Sequence, residues 1–404
     1  MSTRSTSPRI LYISEGWAYN PVFGSQVRCL NMLRALAEIG TVDVVMLGEP
    51  DAGLDAIFKV CRDVRFAYPL EICSRPNGLC ARLKWTFDAS THYPDGRKVV
   101  DGGVHHITRI LREFDCIWFF KQRCADMFPN MAWPRSVMDI DDVPSTYERA
   151  ALRIGGPSER LLALRRLFVW RRRERLLGHR FSVLTVCSEE DKEYLRRIGV
   201  HTRVHVIPNG YEKPPSEPLR NPVAPPRIGF IGNFGYFPNR EGVIWFLKEC
   251  WPWVKREVPQ ARLRLIGQDS NKLPEVRDPD VDRLGALSDP AEEIKSWYAM
   301  IVPIRLGAGT RVKIAHGFSE KCPIVSTTIG ARGYNAVDGR QMYLANSAKP
   351  FAQACVRTID QPEEAAQVAE RAWIEFLNKW TWDSIRPRIW AAAEDCLRLN
   401  ACRQ

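Results

Sequence analysis

The order short apolar run, glycine-containing loop, apolar helix, second apolar run occurs twice in the chain, and nothing else limits the fold as much. The first copy is RILYIS (residues 9–14), a loop with Gly16 and Gly24, then Val27, Leu30, Leu33 and Leu36 at helical spacing, Gly40 as a stop, and VDVVML. The second starts at RIGFI (227–231), passes a Gly-Asn-rich loop and a helix around Trp245 and Phe246, and reaches RLRLI (262–266) with Gly267 behind it. Such spacing asks for helix between short buried strands. A strand–helix–strand unit joins parallel strands, and the resulting sheet must be covered on both faces.

Further apolar runs extend both copies. DCIWFF (115–120), SVMDI (136–140), FSVLTVCS (181–188) and VHVIP (204–208) complete the first sheet; AMIVP (299–303) and PIVS (323–326) enlarge the second, and residues 349–404 read as helical. The expected fold is α/β, two tandem Rossmann-like doubly wound domains with a cleft between them and C-terminal helices. A chain of 404 residues is long enough for two cores. The expected domains are 1–212 and 227–380. Residues 213–226 form the expected linker, because EKPPSEPLRNPVAPP (212–226) holds six prolines and no periodicity. Residues 381–404 are expected to be a helix packing back toward the N-terminal domain. Ligands of such sheets sit at the carboxyl ends of the strands, so the chemistry is expected in that cleft.

Composition removes several function classes. With 45% apolar and 26% charged residues the chain is not disordered. No apolar run approaches the roughly 18 residues of a membrane span, and no signal-peptide stretch opens the chain, so the expected location is cytoplasmic. Twelve cysteines lie without any C-x-x-C pair, and some, such as Cys187 and Cys355, fall inside apolar segments. Reduced buried thiols are expected rather than a zinc framework. The formal charge of +11 favours polyanions. Residues 160–180, RLLALRRLFVWRRRERLLGHR, interleave leucines with seven arginines before Gly178. That helix suits peripheral contact with an anionic membrane surface; the alternative is leucines packed on the domain and arginines in water. No zinc spacing, stacking motif or basic zipper points to nucleic acid.

The densest stretch is PIRLGAGTRVKIAHGFSEKCPIVSTTIGARGY (303–334). Gly307 and Gly309 allow close backbone approach, Thr310 is placed to cap a helix, and the free N–H groups at that helix end make an anion site. Arg311 and Lys313 add two cations there, where they oppose the helix dipole, so a diphosphate is the natural occupant. The alternative is an ordinary turn with two solvated basic residues.

These residues resemble the retaining glycosyltransferases of GT-B fold, the group 1 or family 4-like branch, whose C-terminal domain carries G-G-G-T-R-x-K-I-x-E-A followed by P-V-V-S-T-x-x-G-A. Here the text is G-A-G-T-R-V-K-I-A-H-G and P-I-V-S-T-T-I-G-A. The likeness also takes in the R-x-x-x-L-N-x-L-x-A-L helix at Arg28, D-I-D-D at Asp139, C-S-E-E-D before V-H-V-I-P-N-G, G-F-I-G-N-F-G-Y-F-P-N-R, and W-T-W-D-S-I.

The resemblance implies a glycosyltransferase that moves a sugar from a nucleoside-diphosphate sugar to a hydroxyl acceptor with retention, in polysaccharide or glycoconjugate synthesis. It implies no metal and no other cofactor. Arg311, Lys313 and His316 would be the catalytic group. Gly24, Ser25, Gly232, Asn233, Asn239, Gly307, Gly309, Thr310 and Glu320 would hold the donor. Lys121, Asp141 and Asp142 would face a glycan or lipid-linked acceptor, as hydroxyl ligands rather than a D-x-D metal site. The chain departs from the pattern in three ways. Asn233 and Asn239 stand where many relatives place an arginine and a lysine. Ala308 and His316 replace the two glutamates of E-x7-E. IWFFKQR lacks the usual histidine, leaving Lys121 or Gln122 in its place. The lost glutamates keep two further readings open: a lapsed nucleotide- or glycan-binding protein, and a nucleotide-sugar epimerase. Front-face chemistry, with the leaving phosphate taking the acceptor proton, is the expected mechanism.

Overall fold

A computed structural model describes residues 7–16, 24–48, 59–65, 70–72, 77–87, 96–154, 156–273 and 278–401. The chain divides into two compact units, Met1–Pro208 with Ile385–Gln404, and Asn209–Ser384.

In the first unit the element order is β1 (Arg9–Glu15), α1 (Gly24–Ile39), β2 (Thr41–Leu47), β3 (Asp63–Arg65), β4 (Leu70–Ile72), α2 (Leu79–Phe87), β5 (Arg97–Val99), α3 (Asp101–Ile110), β6 (Cys116–Phe120) and α4 (Gln122–Asp126). It continues with β7 (Trp133–Asp139), α5 (Pro144–Ile154), α6 (Pro157–Arg180), β8 (Phe181–Val186), α7 (Glu189–Arg197) and β9 (Arg203–Val206). Seven of these strands form one parallel sheet in the order β3-β2-β1-β6-β7-β8-β9. Ile10 is paired with Val42 on one side and Cys116 on the other. The order reverses between β1 and β6, the switch point at whose carboxyl end such sheets bind ligands. β4 and β5 make a separate antiparallel pair. One face of the sheet is sealed by Leu11, Ile13, Ile117, Phe119, Met138 and Leu184, all fully buried. Phe119 meets Phe128, Trp133 and Phe181 edge-on, the geometry aromatic quadrupoles favour.

The second unit runs β10 (Arg227–Ile231), α8 (Phe237–Trp245), α9 (Trp251–Glu257), β11 (Arg262–Ile266), β12 (Val281–Gly285), α10 (Ala291–Lys295), β13 (Ala299–Val302), α11 (Val312–Ser319), β14 (Ile324–Ser326), β15 (Tyr343–Leu344), α12 (Ala348–Asp360) and α13 (Pro362–Lys379). Its six strands are ordered β12-β11-β10-β13-β14-β15, all pairs parallel. Phe230, Leu265, Met300 and Ile301, with Val243 and Phe246, are fully buried in its hydrophobic core. A last helix, α14 (Trp382–Ala401), starts in this unit and from Ile385 belongs to the first. There Asp395 takes Arg203 at 3.0 Å and His205 at 2.8 Å, and Trp390 Nε1 donates to the Ala35 carbonyl at 2.9 Å.

The expected linker is part of the second unit. The backbone N–H groups of Asn221 and Val223 donate to the carbonyls of Lys295 and Ser296, and Arg220 Nη1 donates to Ile294 O at 2.7 Å. The prolines remove donors, yet the N–H groups between them are still satisfied by the end of α10. The break therefore falls at Pro208, four residues before the expected end of the first domain at 212. No described helix is long and apolar enough to cross a membrane.

Candidate functional site

The densest group of site residues lies at the carboxyl end of the second unit's sheet, where β10 and β13 hand over to α8 and α11. Gly307 (φ 140°) and Gly309 (φ 67°) adopt angles that an L side chain resists, and a Cβ on Gly307 would strike the Arg311 guanidinium. This turn folds Arg311 back on itself: Nη1 donates to the Ala308 carbonyl and, at 3.5 Å, to that of Gly309. Nε and Nη2 of Arg311 are buried with no hydrogen-bond partner, and the residue is 9% exposed. A buried guanidinium with two idle donors is costly unless an anion meets it. Tyr334, from the second glycine-rich loop, steadies the turn by donating its hydroxyl to Arg311 O at 2.9 Å.

Lys313 is in the first turn of α11. Its Nζ donates to Asn239 Oδ1 at 2.9 Å and lies 3.7 Å from the centre of the Phe230 ring. Burial, then the neighbouring Arg311 charge, hold its ammonium well below the usual lysine range. Asn239 donates from Nδ2 to Asn233 O at 2.8 Å, and Asn233 Oδ1 accepts from Gly235 N at 2.7 Å. A Cβ on Gly232 would lie 2.8 Å from both Lys313 Nζ and Asn239 Nδ2, so a side chain there would displace these two groups. The structure thus brings together Gly232, Asn233, Asn239, Gly307, Gly309, Arg311 and Lys313.

Three residues of the same expected group behave differently. Thr310 is not the cap: α11 begins after Arg311, no side chain caps it, and Thr310 Oγ1 instead accepts from the Asn209 backbone N–H at 3.3 Å. The two glycines set the chain so that Arg311 precedes the helix. His316 is 7% exposed, stacked on Tyr211 with ring centres 4.3 Å apart, and burial pushes its pKa down to about 4, so the ring is neutral at ordinary pH. Glu320 is buried at the opposite end of α11 from Arg311, where burial raises its carboxyl pKa. Tyr211 and Tyr334 were not singled out from sequence, where neither carries a motif that marks it.

In the first unit, Gly24 and Ser25 open α1, with their backbone N–H groups at its free end. The acids after β7 divide into two roles. Asp139 is fully buried and takes Arg28 bidentately, Nε at 2.9 Å and Nη2 at 2.7 Å, plus the Thr185 hydroxyl at 2.5 Å. Arg28 Nη1 also donates to Ile207 O at 2.8 Å, fixing the chain where it leaves the sheet. Asp141 faces Lys121, whose Nζ is 3.2 Å away, and accepts from Cys187 Sγ at 3.3 Å. Burial alone would raise the Asp141 carboxyl, but Lys121 and then Arg28 outweigh it and hold it below the usual range. Burial likewise opposes the Lys121 charge, and Asp141 with Asp142 keeps that pKa raised. Lys121 and Asp141 both have positive φ (68° and 59°), a strain common at working sites. Among the described residues no group of three or more His, Cys, Asp or Glu is arranged to hold a metal.

Residues 225–361, which carry the Arg311 turn and Lys313 with its partner Asn239, match the family model described as glycosyl transferases group 1. Over 134 residues the chain is 29% identical to an uncharacterized 44.6 kDa protein in the cps region of Klebsiella pneumoniae, covering 31% of this chain and 34% of that protein. The match therefore spans about a third of that relative. Among solved structures, Anabaena HepE in complex with UDP and glucose matches at TM-score 0.62 and 12% identity, over 96% of this chain and 99% of that one. Sucrose-phosphate synthase from Thermosynechococcus elongatus matches at TM-score 0.65 and 14% identity, over 98% and 100%. At that identity the likeness is one of fold, and the fold is GT-B.

Proposed function

We propose that the protein transfers a sugar from a nucleoside-diphosphate sugar to a hydroxyl acceptor, with retention of configuration at the anomeric carbon. The observation that carries this reading is the buried Arg311 guanidinium, with two unpartnered nitrogens, beside Lys313 at the start of α11. The bond from anomeric carbon to phosphate oxygen breaks, leaving charge on the diphosphate; Arg311, Lys313 and the N–H groups of α11 meet that charge. The bond from acceptor oxygen to anomeric carbon forms on the same face, and the acceptor proton passes to the departing phosphate. Two cations and a helix end supply the neutralisation, so the reading needs no metal. Lys121, Asp141 and Asp142 are assigned to acceptor hydroxyls, Gly24 and Ser25 to the diphosphate through their backbone N–H groups, and His316 to a neutral hydrogen bond with the donor.

The setting is cell-envelope polysaccharide synthesis on the cytoplasmic side, a reading supported by the cps-region relative and by the UDP and glucose bound in the HepE structure. A second reading, a nucleotide-binding protein without turnover, is favoured by Ala308 and by the His316 ring stacked on Tyr211 where the resemblance expects carboxylates. Incubation with UDP-, GDP-, ADP- and dTDP-sugars, scored for released nucleoside diphosphate and transferred sugar, tests both. Turnover with one donor supports transfer; tight binding with no release supports the second reading; inversion at the anomeric carbon contradicts the mechanism.

A further inference from the structure

Six of the twelve large apolar side chains that the described residues expose sit on two helices of the first unit: Leu79 and Leu83 on α2, and Leu161, Leu162, Leu164 and Phe168 on α6. The two helices are in contact. Such concentration is unlike the scattered single leucines of ordinary surfaces.

The cause lies in how α6 is held. Its C-terminal half is anchored: Arg173 and Arg180 reach Asp126 at 3.2 and 2.8 Å, Glu174 takes the Ser145 N–H and hydroxyl, and Trp170 and Leu177 are buried. In the N-terminal half only Ala163 is buried before Val169, and the leucines that a packed helix would turn inward stand in solvent. On α2 every residue from Leu79 to Lys84 is exposed, Leu79 by 77%. Nine residues make a marginal helix in water unless an apolar face finds a surface.

The charge around these leucines is mostly positive. Arg160, Arg166 and Arg172 on α6 and Arg82 and Lys84 on α2 are exposed, against Glu159 at the helix start. Apolar tips interleaved with guanidinium groups on one short face match the boundary of an anionic bilayer, with leucines at the acyl level and arginines at the phosphates. We propose that α2 and the first half of α6 dock on an anionic lipid surface. Docking needs no turnover, so it stands or falls apart from the reaction proposed above.

Flotation of the full chain with phosphatidylcholine vesicles, alone or mixed with phosphatidylglycerol, tests this. Wild-type protein is expected to float only with phosphatidylglycerol. L161S/L164S/F168S and R160E/R166E/R172E are each expected to reduce that partition at least about tenfold while melting as the wild type does. Absence of phosphatidylglycerol-dependent flotation, or its retention by both variants, overturns the proposal. So does light scattering that shows a dimer broken up by the leucine variant, because the occupant is then a second copy.

Discussion

Lys313 Nζ donates to Asn239 Oδ1 at 2.9 Å, and Asn239 donates onward to the Asn233 carbonyl at 2.8 Å. Asn239 stands where the resemblance expects a lysine, and here it accepts from the Lys313 ammonium. Asn239→Ala leaves the ammonium without its side-chain acceptor. The variant is expected to fold and to bind nucleoside diphosphate about tenfold more weakly, a loss on the order of 1.5 kcal/mol for a hydrogen bond to a charged group. Calorimetric titration reads it; unchanged affinity counts against Asn239 as the positioning residue.

The depressed Lys313 pKa predicts a proton linkage. Burial and Arg311 favour the neutral amine in the free protein, and a bound diphosphate favours the ammonium. Binding therefore takes up protons at any pH between the free and bound values. Titrations in buffers of different ionisation enthalpy are expected to give an observed enthalpy that varies with buffer, and Asn239→Asp is expected to diminish the variation by supplying a negative charge beforehand.

Arg28 and Asp139 are separated by 111 positions and form a fully buried bidentate pair. Asp139→Ala removes the bidentate partner of a fully buried guanidinium and is expected to destabilise the first unit by about 3–5 kcal/mol. Urea unfolding followed by tryptophan fluorescence measures this, and a loss under about 1 kcal/mol contradicts the burial assigned to the pair.

Glu174 supplies a pH signature. Burial raises its pKa to about 8, against hydrogen bonds from Ser145 that lower it. A carboxyl whose folded pKa is raised contributes stability that is full below its unfolded pKa and lost as pH rises through the folded value. Wild-type stability is thus expected to fall between about pH 4.5 and pH 8, by an upper bound on the order of 5 kcal/mol. Glu174→Gln is expected to flatten that part of the melting profile. A variant as pH-sensitive as the wild type contradicts this origin.

Much of this was legible in the sequence, for physical reasons that also mark where legibility ends. The repeated strand–loop–helix order gave both parallel sheets because burial on two faces leaves continuous apolar runs such as RIGFI and CIWFF. β3, β4 and β5 were not foreseen, being three-residue strands too short to show a period. Composition misread the proline-rich stretch, since the hydrogen bonds of Asn221 and Val223 to the end of α10 leave no trace in it. The grouping of Gly307, Gly309, Arg311 and Lys313 was visible because these residues stand within one short stretch of sequence. The Thr310 cap was expected from residue type alone, but the positive φ of Gly307 and Gly309 moves the helix start to Val312. Asp139 looked like its neighbour Asp141, yet Asp139 takes Arg28 bidentately together with the Thr185 hydroxyl, while Asp141 faces Lys121.

The most direct test of the account is titration of the best-binding nucleoside diphosphate into wild type and Arg311→Ala, with single-turnover transfer measured on the same samples. The account predicts weaker binding and a transfer rate lower by roughly 10²–10³-fold in the variant, because a preorganised charge facing the departing diphosphate is lost. Equal affinity and equal rate would contradict the placing of the diphosphate at Arg311.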